Sequence, residues 1–153
     1  MADYPRFPLF VDLSDRRVLV VGAGSVAARR VKVLTRFCGH IAVVAPRIHA
    51  DIEALAEGGA VALRRRAYDP VDLEGADLVL AATDDAALNA AVAAACRARG
   101  IPVNDAGDRR LCDFYFPGIA MAGGVVAGVT ADGEDHRLAR AAAERVRRCL
   151  EEL

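Results

Sequence analysis

The segment Val20-Val21-Gly22-Ala23-Gly24-Ser25-Val26-Ala27 restricts the fold of this chain more than any other. It is a G-x-G-x-x-A turn directly after an apolar run and directly before a helical stripe. In that setting the first glycine permits a tight turn. Gly24 lets the backbone approach a pyrophosphate, and the small Ala27 lets the helix lie close to the strand. A pyrophosphate would then rest on the free N–H groups at the helix start. A purely structural glycine turn is the alternative, and the strand before and helix after it favour nucleotide binding.

The rest of the chain continues the same rhythm. Val18–Val21 is followed by Ala27, Val31, Leu34 and Cys38 on one helical face, and Ile41–Val44 is closed by Pro46. Ile48, Ile52, Leu55 and Ala56 form a second stripe ended by Gly58-Gly59. Val61–Leu63 and Leu78–Ala82 read as strands, Leu88, Val92, Ala95 and Cys96 as a third stripe, and Ile101–Val103 starts a fifth strand. Strands separated by amphipathic helices imply right-handed βαβ units and a parallel sheet. After Asn104 the pattern changes. Asp113–Ala120 and Val125–Thr130 read as an antiparallel pair joined across Met121–Gly124. A last helix is expected from about Asp135, with Leu138, Ala142, Val146, Cys149 and Leu150 on one side and Arg and Glu on the other. The expected class is therefore α/β: a Rossmann-type parallel sheet flanked by helices over residues 1–112, then a β-hairpin plus helix over residues 113–153.

Composition supports this class. Apolar residues make up 54% of the 153, yet only 5% are aromatic and Trp is absent, which suits buried parallel strands better than an aromatic-rich sandwich. The net charge of −1 gives no global pointer to nucleic acid or an anionic membrane. Cys38, Cys96, Cys112 and Cys149 are scattered without CxxC or a His at ligand spacing, so no disulfide framework and no metal site are expected. No secretory signal is visible, and a cytoplasmic location is expected. Residues 114–131 carry no charge over 18 positions, but Pro117, Gly118, Gly123, Gly124, Gly128 and many β-branched residues read as two buried strands rather than a membrane span.

The end of the second strand lacks the usual acid for a ribose 2′-hydroxyl: Ala45-Pro46-Arg47 stands there, and Asp51 lies too far into the next helix. Two readings stay open from the residues alone, low selectivity between NAD and NADP or a preference for NADP through Arg47. Thr83 and Asp84, after the fourth strand, should face the cofactor and could also cap the next helix.

These residues, taken in order, resemble the precorrin-2 dehydrogenase family, the N-terminal dehydrogenase/ferrochelatase half of sirohaem synthases. The similarity runs from Tyr4-Pro5-Arg6-Phe7-Pro8-Leu9-Phe10-Val11-Asp12-Leu13 through the glycine turn and Val43-Val44-Ala45-Pro46. It continues through Ala81-Ala82-Thr83-Asp84-Asp85 with Asn89, then Val103-Asn104, and ends with Cys112-Asp113-Phe114 and Phe116-Pro117. The resemblance implies NAD-dependent oxidation of precorrin-2 to sirohydrochlorin, a tetrapyrrole substrate, and a homodimer formed through the region after the Rossmann domain. It resolves the missing acid in favour of NAD. It places the cofactor on Gly22, Gly24, Ser25, Val26, Pro46, Arg47 and Thr83.

The chain departs from the family in three places. The family's catalytic Asp stands three residues after the Asn that matches Asn104, where this chain has Gly107. Asp108, one place later, is the expected replacement, with Asp105 in reserve and His136 next. The Ser-rich and Gly-rich turn before the last helix reads Thr130–His136 here, and the further helical module of iron-inserting relatives is not in this sequence, so oxidation is expected rather than iron insertion. A polycarboxylate substrate calls for cations, for which Arg109, Arg110 and the run Arg64-Arg65-Arg66 are candidates, though ordinary surface arginines read the same way. An NAD(H)-sensing module, or a ferrochelatase or carrier without redox activity, would share the glycine turn. The charged Asp105–Arg110 loop before an uncharged hairpin favours the oxidoreductase.

Overall fold

The computed structural model describes residues 4–131 and 136–153. They form two compact units. The larger, Val11–Phe114, carries all the cofactor candidates; the smaller consists of Tyr115–Leu153 with the described residues before Val11.

In the larger unit five strands, β1 (Arg17–Val21), β2 (His40–Val44), β3 (Ala62–Arg64), β4 (Leu78–Ala81) and β5 (Val103–Asp105), form one parallel sheet in the order β3-β2-β1-β4-β5. Helices α1 (Ser25–Leu34), α2 (Ala50–Glu57) and α3 (Ala86–Arg99) connect β1 to β2, β2 to β3 and β4 to β5. The apolar runs of β1, β2 and β4 are buried on both faces, as a sheet covered by crossover helices requires. Leu19, Val21, Val44, Leu73, Val79, Val92 and Val103 meet in one core cluster, and each such side chain contributes roughly 1.5–3 kcal/mol on burial. β3, at the sheet edge, is short and less buried.

The order of strands reverses between β1 and β4, so the crevice beyond their carboxyl ends is the place for a ligand. Register makes that edge level: Val21 pairs with Val44 and with Ala81, and Ala81 pairs with Asp105. Gly22, Ala45, Ala82 and Ala106 each donate a backbone hydrogen bond into the neighbouring strand, which extends the ladder one residue past the strand ends. The chain leaves β5 through a single 3-10 turn, Arg109–Leu111, and is pinned back beside it by Asp113 N–H to Val103 O (2.8 Å).

The smaller unit is an antiparallel hairpin, β6 (Gly118–Ala122) and β7 (Val125–Val129), with α4 (His136–Glu151) packed on it. The turn is two residues, Gly123-Gly124, both at positive φ, the geometry that matches strand twist in a tight hairpin. β6 therefore starts five residues later than the sequence suggests, and residues 113–117 are not strand. The buried face of α4 also differs from expectation. Ala143 is its buried centre, whereas Leu138 and Cys149 are exposed. The cause is close approach: a Cβ at Gly118 would lie 3.1 Å from Ala143 Cβ, so the seam admits small residues only. Asp135 and the side chain of His136 lie outside the described residues. Among the described residues no helix is long and apolar enough to cross a membrane.

Candidate functional site

Gly22 and Gly24 divide two tasks. Gly22 has φ +103°, and a Cβ there would meet Ala82 O at 2.4 Å and Thr83 N at 2.8 Å. No other residue fits without moving the β4 edge. Gly24 has an ordinary φ of −82° and caps α1 with no side-chain hydrogen bond, and a Cβ placed on it would meet nothing within 4 Å. Among the described residues nothing fills that space. Beyond it Gly24, Ser25 and Val26 are exposed, and the first turn of α1 carries no acid. Backbone N–H groups at a helix start with an open approach suit a diphosphate. Ala27 and Ala28 are buried beneath, which lets α1 sit close on the sheet.

Pro46 and Arg47 are exposed at the end of β2. Their loop is tied to the glycine turn by the His49 N–H, which donates to Ala23 O at 2.9 Å. His49 then caps α2, its Nδ1 accepting from the Asp51 N–H. No carboxylate stands between Ala45 and Ala50, in keeping with the sequence.

Thr83 is fixed by Asn89, a buried residue of α3. The Asn89 Oδ1 accepts from the Thr83 N–H (3.1 Å) and hydroxyl (2.6 Å), and its Nδ2 donates to Thr83 O. The cap of α3 is Asp85, which accepts from the Ala87 and Leu88 N–H groups; neither Thr83 nor Asp84 takes that role. Thr83 is held at the β4 edge instead.

The β5 loop is the most densely bonded part of the site. Asp105 is buried at the strand end, and its Oδ1 accepts from the Gly107 N–H (2.8 Å) and the Asp108 N–H (3.1 Å). A Cβ at Gly107 would lie 3.5 Å from that same oxygen, so a side chain at 107 would project into the space beside the Asp105 carboxylate. Asp108 faces outward. It caps the 3-10 turn and takes two bonds from the Arg110 side chain. Those bonds, the Arg110 guanidinium first among them, hold its carboxyl down to about 2. Asn104, also buried, accepts from Arg30 of α1 and donates to Phe114 O (2.9 Å), while the Cys112 sulfur bridges to the Asp105 backbone at 3.2 Å.

The structure does not bring the Arg64–Arg66 run to this loop. It begins on β3, at the sheet edge opposite β5. Arg64 and Arg66 converge on the buried Asp72 and Arg65 on Glu53, so the run is structural. A cleft of about 390 Å³ beside Arg17, His40 and Asp72 takes no residue from the glycine turn, Thr83 or Asp105. No group of three metal-binding side chains occurs among the described residues. Sequence reasoning misses Arg30 and the Cys112 bridge, since no local spacing links residue 30 to residue 104.

Three comparisons bear on this site. A family model described as "Putative NAD(P)-binding" matches residues 9–118. The siroheme synthase of Methylococcus capsulatus is 41% identical over 143 residues, covering 94% of this chain and 30% of that protein. The siroheme synthase of Pseudomonas aeruginosa is 43% identical over 133 residues, covering 87% of this chain and 29% of that protein. The chain thus spans under a third of the length of these curated relatives. Among solved structures, the precorrin-2 dehydrogenase SirC superposes with a TM-score of 0.77 at 27% identity, covering 94% of this chain and 71% of that one.

Proposed function

The chain belongs to the NAD(P)-binding family whose model it matches over residues 9–118, and from that premise we propose that it oxidises precorrin-2 to sirohydrochlorin with NAD. One observation carries the reading. The open diphosphate cradle at Gly24 and the buried Asp105 loop stand on the same level edge of the sheet, on β1 and β5 with β4 between them. The likeness to SirC and to siroheme synthases supplies the substrate class. The residues fit NAD: Gly24 leaves room for the diphosphate, and the exposed Ser25 and Val26 open α1 beside it. Pro46 and Arg47 border the adenosine side, and Thr83 lies at the switch point. When bound, NAD accepts a hydride on its nicotinamide ring.

The oxidation removes two hydrogens from the substrate, one as hydride to the cofactor and one as a proton to a base that returns it to water. Asp105 is assigned the proton. Its carboxylate lies beside residue 107, where a Cβ would be 3.5 Å from Asp105 Oδ1, and 107 is the position of the family's Asp. Asp108, held down to about 2 by Arg110, is a poor proton acceptor at neutral pH and is assigned to anchor the loop. The same reading places the protein in the cytoplasm as a homodimer. The test is anaerobic incubation of the protein with precorrin-2 and NAD, followed by NADH absorbance. Stoichiometric NADH with sirohydrochlorin is expected; NAD binding with no NADH would leave a sensor or carrier.

A further inference from the structure

The bond between Arg30 and Asn104 joins two parts of the site that the sheet keeps apart. Arg30 belongs to α1, the helix whose start forms the diphosphate cradle. Asn104 belongs to β5, two strands from β1 and so about 10 Å away across β4. From α1 the Arg30 side chain reaches β5 and donates to Asn104 Oδ1. It is half-buried on the way, and its neighbours along α1, Ala27, Ala28 and Val31, are buried.

Asn104 passes the restraint on. Its Nδ2 holds Phe114 O at 2.9 Å and faces the Cys112 sulfur at 3.4 Å. The Cys112 sulfur in turn sits 3.2 Å from both the N–H and the carbonyl oxygen of Asp105. Burial pushes the Arg30 guanidinium down from its usual value, Arg29 adds to that, and the nearby Asp105 carboxylate opposes it.

We propose that Arg30 is a positioning residue for the oxidation: from the cofactor helix it clamps Asn104 at the end of β5 and so fixes the Asp105 carboxylate relative to the hydride acceptor. The proposal rests on the function assigned above. Cofactor and base then move as one frame, and the reacting atoms keep their registry. A misplacement of about 1 Å typically costs up to ~10²-fold in rate.

The experiment compares Arg30→Met, Arg30→Lys, Asn104→Ala and the Arg30→Met/Asn104→Ala pair in the full chain. NAD affinity, thermal midpoint and single-turnover oxidation of precorrin-2 are measured for each. Arg30→Met should keep NAD affinity within a few-fold and lose ~10–100-fold in single-turnover rate. Arg30→Lys, which can still donate to Asn104 Oδ1, should recover most of that loss, and the double variant should be no slower than the slower single one. A parent-like rate in Arg30→Met, a fall in NAD affinity that matches the fall in rate, or strictly multiplicative losses in the pair would each overturn the proposal. Should Arg30→Met fail to fold, Arg30→Lys decides: a rate close to the parent's, against a slow Asn104→Ala, supports the clamp, and a loss as large as that of Asn104→Ala refutes it. Absence of turnover in the unaltered chain is a separate failure, that of the function itself.

Discussion

Gly22 and Gly24 stand two residues apart in different surroundings, and substitution can separate what each does. At Gly22 the obstacle is the protein: the positive φ and the Ala82 carbonyl 2.4 Å from any Cβ. Gly22→Ala should cost at least ~1–3 kcal/mol from backbone strain. Thermal unfolding should show this as a drop of about 2–4 °C per kcal/mol. At Gly24 a Cβ meets nothing within 4 Å, and the obstacle under the proposed function is the bound cofactor. Gly24→Asp should therefore melt close to the parent while NAD affinity, by calorimetry, falls ~100-fold or more. An undiminished affinity would remove the nucleotide reading of this turn. The two aspartates separate in the same way. Asp105→Asn can still accept from the Gly107 and Asp108 N–H groups but cannot take a proton, so hydride transfer should slow by ~10²–10⁴ with NAD binding intact. Asp108→Asn should stay within a few-fold of parent. The reverse ranking would return the base to Asp108.

Elements in this chain are pinned to one another by charges as well as by the core. Asp72, in the 3-10 turn Pro70–Leu73, has a buried carboxylate that accepts from Arg66 through both oxygens, from Arg64 and from the Asp69 N–H. It thereby locks edge strand β3 to the connection that leads into β4. The Arg66 side chain first, then the Asp69 backbone and Arg64, hold its carboxyl well below the ordinary range, against the opposing effect of burial. A depressed carboxylate contributes stability that is complete above about pH 4, the unfolded value, and is lost as the pH falls further toward its folded value. Asp72→Asn should lower stability at pH 7 by about 1.5–3 kcal/mol and flatten the acid limb of a urea-midpoint against pH curve. An acid limb as steep as the parent's would mean the pin is not there.

At this same scale the sequence is readable where apolar runs end in a breaker. β1, β2 and β4 fall within a residue of their expected limits, because Gly22 and Pro46 close the first two and the Thr83 turn closes the third. For β5 the apolar run starts the expected strand at Ile101, whereas the strand begins at Val103 and runs to Asp105. Its polar end is buried because Arg30, Cys112 and the Gly107 and Asp108 N–H groups satisfy it, and those partners are remote or conformational. The face of α4 departs from its sequence pattern for a related reason: bulk marks a core face by default, and only the closeness of Gly118 makes Ala143 the centre. The glycine turn needs no such partner and is legible in full.

For the whole molecule, the smaller unit is the part that does not close on itself. Its sheet has two strands, and in the uncharged stretch from 114 to 131 only Ala120 is fully buried. A two-stranded hairpin needs a further strand or a packed helix face to be stable, and α4 offers a narrow one centred on Ala143. Tyr4 and Phe7 are each 86% exposed, and Leu9, Phe10, Val125 and Leu138 are exposed with them. So much apolar surface on a unit this small exceeds what a monomer ordinarily presents to water. A two-fold copy of the same surface covers it with the fewest requirements, because each side chain need only meet a patch already present. The expected state is a homodimer burying at least ~1,000 Å² in total, with the hairpin and the apolar residues before Val11 in the interface. Sedimentation equilibrium should give twice the 16.2 kDa chain mass at micromolar concentration. Phe7→Ser with Phe10→Ser should shift it toward monomer while NAD affinity, which depends on the larger unit, holds. A single-chain mass independent of concentration would leave these side chains unexplained and sink the dimer.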